Sequence, residues 1–173
     1  AVNKFVYLGS TLSRSANIDE EVSYRIARAS TAFGRLKDRV WNRHGLSFKT
    51  KLKVYRAVVL PSLLYGCETW TVYSCHSKQL NAFHVRCLWT LLHVKWQDKV
   101  PDSEVLHRSE MESIHATLLR TQLRWAGHVC HMNDSRLPKR LLYGEVIAGK
   151  RHLGRPKLKF KDTLKRSLKE CNI

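Results

Sequence analysis

Apolar residues recur along this chain with helical spacing almost from end to end. Ile18, Val22, Ile26, Ala29, Phe33, Leu36 and Val40 follow one another at steps of 4, 4, 3, 4, 3 and 4, which draws one stripe along a helix of 3.6 residues per turn. Asn17 or Asp19 is placed to cap its start, and the run Asp19-Glu20-Glu21 suits the positive end of the helix dipole. The helix should end between Trp41 and Gly45. A second stripe, Phe48, Leu52, Tyr55 and Val59, begins after Ser47. Pro61 should kink or end that helix, and Gly66 marks a further break, with Leu63-Leu64-Tyr65 as an inward-packed turn between them.

The pattern continues with a helix over 77–92 that turns Leu80, Phe83, Cys87, Leu88 and Leu91 inward. Asp102-Ser103-Glu104 opens a short helix through Leu106 with acids in its first turn. A longer one over 112–131 points Ile114, Leu118, Leu119, Leu123, Ala126 and Val129 to the core, and 137–143 is short with Pro138 near its start. From about 158 to 170, Phe160, Leu164 and Leu168 share one side and Lys161, Lys165 and Lys169 another. Only Phe5-Val6-Tyr7-Leu8-Gly9 is β-prone, a strand or half-hairpin ended by glycine. The fold class expected is mainly α.

Charge adds what periodicity does not. The 173 residues hold 31 Lys/Arg against 14 Asp/Glu, a net +17. From Ser135 to Ile173 twelve bases face only Glu145, Asp162 and Glu170. Such an excess favours an anionic partner, and a phosphate backbone binds Lys/Arg by releasing condensed counterions. Arg25, Arg28, Arg35 and Arg39 flank the first stripe, while Lys49, Lys53 and Arg56 flank the second. Few have an acid four residues away to neutralise them. A charge-lined face is commonly just solvated; recurrence of unpaired charge along the chain argues for more. At 43% hydrophobic the chain can build a core, and no apolar run approaches the roughly 18 residues of a membrane span. Five cysteines, an odd and widely spaced set, fit a reducing compartment, nucleus or cytoplasm. The chain opens without Met on a strand-like run and reads as a piece of a longer polypeptide.

Catalytic chemistry is thin. There is no Asp-Asp pair, no phosphate-binding Gly-x-x-x-x-Gly-Lys and no Gly-x-Ser-x-Gly elbow. His128-x-Cys130-His131 and His84-x-x-Cys87 offer zinc ligands within one turn, but without the second close pair that structural zinc sites use. Gly154-Arg155-Pro156, flanked by Lys150, Arg151, Lys157 and Lys159, is slim and cationic enough for an A·T minor groove and resembles an AT-hook core, with Leu153 where a leading Arg belongs. Among the aromatics beside bases, Tyr55 and Trp125 fall by the apolar stripes, whereas Trp96 falls in a loop and is the one expected to be exposed.

Taken in order, Phe5-Val6-Tyr7-Leu8-Gly9, Leu60-Pro61-Ser62-Leu63-Leu64-Tyr65-Gly66-Cys67-Glu68-Thr69-Trp70, Arg124-Trp125-Ala126-Gly127-His128-Val129, Leu137-Pro138-Lys139, Gly149-Lys150-Arg151 and Gly154-Arg155-Pro156-Lys157 resemble the C-terminal part of a non-LTR (LINE-type) retrotransposon endonuclease–reverse transcriptase. The resemblance covers essentially the whole chain. It implies that Tyr7, Leu8 and Gly9 border the primer end as in a primer-grip hairpin, and that the following helices are thumb-like. His131 and Trp89 stand where that pattern has bases. The Tyr-x-Asp-Asp metal site of the family is absent, so Mg would be needed by the parent polymerase but no cofactor is expected in this chain, and no enzymatic activity on its own.

The expected organisation is therefore 1–15 as the end of a palm, 16–100 as a thumb-like helical bundle, 101–145 as a post-thumb helical region and 146–173 as a basic linker with a C-terminal amphipathic helix. The expected partners are RNA and DNA as template–primer duplex and the remainder of the reverse transcriptase, with no membrane. The rival expectations are an AT-hook-like chromatin module, a zinc-stabilised interaction module and an inactive remnant.

Overall fold

The computed structural model describes residues 4–7, 10–13, 18–144 and 158–171. It is mainly α. Strands β1 (Lys4–Tyr7) and β2 (Ser10–Ser13) pair antiparallel with Tyr7 opposite Ser10. The helices are α1 (Asp19–Arg35), α2 (Phe48–Val54), α3 (Leu60–Leu64), α4 (Ser74–Leu92), α5 (Asp102–Arg108), α6 (Ile114–Cys130), α7 (Leu137–Tyr143) and α8 (Phe160–Glu170). No helix among the described residues is long and apolar enough to cross a membrane.

Two compact units are present: one from residues 1–66 and 73–117, the other from 67–72 and 118–173. In the first, the apolar stripe of α1 buries Val22 and Ala29 against α3 and the turn before it. The cap of α1 differs from expectation. Its N-cap position is Ile18, whose side chain has no polar atom to cap with; Asp19, one residue on, is bonded instead to His76 on α4, 2.6 Å away. Asn17 lies outside the described residues. Past Arg35 the chain continues as a π-helical turn, Lys37–Trp41, that swings Trp41 into the core, and ends as expected by Gly45, whose φ is +90°.

Helix α2 starts where the sequence placed it. Ser47 Oγ accepts the Thr50 backbone N–H at 3.2 Å, a side-chain cap on the first turn. Pro61, however, does not end the helical run. The turn over Tyr55–Val59 is widened to π geometry, and α3 follows it directly with Pro61 in its first turn. A widened turn just ahead of a proline is one of the ways a long helix bends without ending. The chain leaves the helix only at extended Tyr65 and at Gly66, with φ +74°. Tyr55, Val59, Leu63, Leu80, Leu88 and Ile114 are fully buried here, each worth about 1.5–3 kcal/mol of transfer free energy.

In the second unit α6 turns Leu118, Gln122, Ala126 and Val129 inward. Gln122 was not expected there. Its Nε2 donates to the carbonyls of Cys67 (3.2 Å) and Trp70 (2.9 Å), at the two ends of the 3₁₀ turn over Cys67–Thr69. On α8 the deepest residues are Thr163 and Ser167 rather than Phe160, Leu164 and Leu168, which are half-buried beside them. Small side chains let the helix approach closely, and Phe160 then meets Trp125 of α6 edge to face at 5.4 Å.

Candidate nucleic-acid interface

Arg28 and Arg35 lie two turns apart on α1, and Arg39 follows on the π turn; all three are exposed. The end of this line is rigidly held. Trp41 stacks on Phe33 (5.0 Å between centroids), and its indole N–H donates to the Phe33 carbonyl at 2.7 Å. Lys51 reaches across from α2, its Nζ donating to the Trp41 carbonyl at 2.6 Å. Lys51 is thus a buried cation that closes the C-terminal end of the turn, where positive charge meets the negative helix end. Nothing in the periodicity of the sequence separated it from its exposed neighbours Lys49 and Lys53.

Arg25 is a correction to the sequence-based set. It is 5% exposed, its Nε donates to Glu21 Oε1 at 2.7 Å, and its guanidinium sits 4.6 Å from the centre of the Tyr65 ring and 5.6 Å from that of Tyr24. Glu21 and Arg25 occupy i and i+4 on the inward side of α1, so each neutralises the other out of water. Ser10 Oγ also donates to Glu21 Oε1, at 3.2 Å, tying β2 to the same carboxylate. Arg25 is internal structure, not phosphate-facing surface.

On α2, Lys49 and Lys53 are exposed and carry no ion pair among the described residues. Arg56 is exposed too, but its guanidinium is already used: Nη2 donates to the Glu110 carbonyl (2.8 Å) and Nε points to Met111 Sδ (3.0 Å). A phosphate at Arg56 would compete with the link to the segment after α5. Lys159 is exposed at the start of α8, where its backbone N–H donates to Asp162 Oδ2 at 2.9 Å. Leu8, Gly9, Lys150, Arg151, Arg155 and Lys157 lie outside the described residues, as does the AT-hook-like core; of Tyr7 the backbone pairing is described.

Of the two sequence candidates for zinc, His84 and Cys87 are core residues, whereas His128, Cys130 and His131 are exposed, with Cys130 Sγ 2.7 Å from the Tyr143 hydroxyl. His84 is fully buried, its Nδ1 2.8 Å from the Tyr55 hydroxyl, and burial pushes its pKa down to about 4, with the backbone carbonyl of Glu112 pulling weakly the other way. The Cys87 thiol beside them is pushed up to about 12, again by burial, as is Cys67. Neither is a thiolate at neutral pH. Among the described residues no three His, Cys, Asp or Glu side chains converge as a metal site requires. Trp96, as expected, is exposed (76%), held out on a tight 3₁₀ turn by the Lys95 N–H to Asp98 Oδ2 bond of 2.7 Å.

A Caenorhabditis elegans protein described as an uncharacterized transposon-derived protein is 25% identical to this chain over 177 residues; the match takes in 96% of this chain and 61% of that protein. The chain thus spans about three-fifths of the length of the relative it matches. The likeness supports a transposon-related origin. No family model matches the chain, and no solved structure matches it.

Proposed function

We propose that this chain holds nucleic acid as the thumb-like and post-thumb part of a LINE-type reverse transcriptase, whose carboxylate pair and Mg ions are supplied elsewhere. The observation that carries the reading is the pair of exposed cationic lines, Arg28–Arg35–Arg39 and Lys49–Lys53, which make no ion pair among the described residues, on a packed helical scaffold. Each phosphate neutralised by such a cation releases condensed counterion. Contacts of this kind set position and affinity and carry no base sequence information. The order of sequence motifs and the transposon-derived relative support the polymerase context; nuclear or cytoplasmic residence follows as part of the same proposal.

The deciding experiment is a salt titration of binding to an RNA–DNA duplex by fluorescence anisotropy. The expected result is a steep linear fall of log affinity with log salt, with little difference between duplexes of unrelated sequence. An affinity that hardly changes between low and physiological salt would overturn the reading.

A further inference from the structure

Within the second unit, α6, α7 and α8 enclose an open groove of about 710 Å³ that the proposed function does not use. Its walls are apolar: Trp125 from α6, Leu137 and Leu141 from α7, Phe160 from α8. Leu137 and Leu141 stand one helical turn apart and are 63% and 73% exposed. Two adjacent leucines turned outward over a cleft mark a surface that a partner covers, since scattered exposure would not line one groove.

The rim carries the second half of the argument. Lys159 and Lys165 are exposed along it. Lys161 is half-buried there, donating to the Tyr143 carbonyl at 3.1 Å. The lining includes a single acid, Asp162, whose Oδ2 already accepts the Lys159 N–H. An occupant must therefore bring apolar side chains to the floor and negative charge to the edge. Two anionic classes satisfy the charge. A single-stranded nucleic acid needs open aromatic faces on which bases stack. Here the two aromatic rings, Trp125 and Phe160, are both half-buried against one another edge to face, and the walls that stand open are the aliphatic Leu137 and Leu141. Aliphatic walls with a cationic rim match the apolar face and acidic flank of an amphipathic helix instead.

We infer that the α6–α7–α8 groove docks an acidic amphipathic helix of a protein partner, with leucine- or phenylalanine-type anchors at i and i+4 inserted beside Leu137 and Leu141. The groove belongs to the second unit and α1 and α2 to the first, so the inference can be right or wrong independently of the nucleic-acid reading.

The test uses the full chain and three fluorescent probes: an acidic peptide about five turns long with Leu and Phe at i, i+4 and i+7, a scramble of the same composition without that period, and an oligo-dT of similar charge. The amphipathic peptide should bind at least about tenfold more tightly than the scramble. Leu141→Glu and Lys165→Glu, both at exposed positions, should each weaken it about tenfold while leaving the thermal melt and the salt slope of RNA–DNA duplex binding unchanged. Equal binding of peptide and scramble would overturn the inference, as would a Leu141→Glu variant that binds the peptide normally. So would selective loss of oligo-dT binding in that variant, which would make the groove a nucleic-acid site.

Discussion

His76 Nε2 lies 2.6 Å from Asp19 Oδ1, joining the first turn of α4 to the first turn of α1 across 57 positions of sequence. The other ring nitrogen, Nδ1, accepts the backbone N–H of Tyr73 at 3.3 Å. With Nδ1 an acceptor, Nε2 carries the hydrogen and donates it to the carboxylate. Both nitrogens are occupied, so this dyad is a clasp and has no free nitrogen with which to act as a base. Replacing His76 by Leu, or Asp19 by Ala, should lower unfolding stability by about 1–2 kcal/mol in urea titrations, without altering the salt slope of nucleic-acid binding. A change in that slope with stability intact would mean that Asp19 or His76 touches the ligand.

Glu21 and Arg25 should behave as a unit. Glu21→Ala leaves a guanidinium buried with its carboxylate gone, and the expected loss is about 3 kcal/mol, read from chemical denaturation. Because Ser10 shares the same carboxylate, amide exchange in β2 should accelerate in this variant as well. Retention of full stability would show that Arg25 finds its compensation elsewhere.

Arg25 and its neighbours on α1 should separate cleanly. Arg28→Ala, Arg35→Ala and Arg39→Ala should each reduce the slope of log affinity against log salt by about 1 and leave the melt in place. Arg25→Ala should lower the melt and leave the slope unchanged. The reverse assignment, a slope change for Arg25 alone, would mean that the buried pair opens on binding.

Stability should fall on acidification through a window set by His84. Its folded pKa is about 4 against an ordinary 6.5, lowered by burial. Well above pH 6.5 the ring is uncharged in both states and contributes no pH dependence. Between about pH 6.5 and 4 the unfolded chain takes up a proton that the folded core refuses, so folding weakens progressively, by about 3 kcal/mol in total. Urea midpoints across that range check it, and His84→Gln should flatten the dependence. An unchanged slope in the variant would place the titrating group elsewhere.

Much of the helical architecture was readable because burial and periodicity are the same information in an amphipathic helix. Val22, Ala29, Leu52, Tyr55 and Val59 stood at core spacing and are in the core. Two kinds of feature were not readable. The first depends on long-range partners: Asp19 looks like a dipole-compensating cap until His76 arrives from α4, and Gln122 looks like surface until the Cys67 and Trp70 carbonyls are beside it. The second is the difference between a cation that faces water and one that does not. Arg25 and Arg28 differ by less than one turn, yet one is paired with Glu21 inside and the other is exposed. The Glu21–Arg25 spacing of four was the available signal for that pair. Pro61 was expected to kink or end the helix; the helical run passes through it after one widened turn, so only the second alternative fails.

The bond from Lys51 to the Trp41 carbonyl makes this lysine a built-in witness of opening. Amine-reactive labels should modify Lys49 and Lys53 at once and reach Lys51 only when the turn that carries Trp41 peels away. Three lysines within five residues thus provide a reagent-accessible clock for that turn, with its own reference signals on either side.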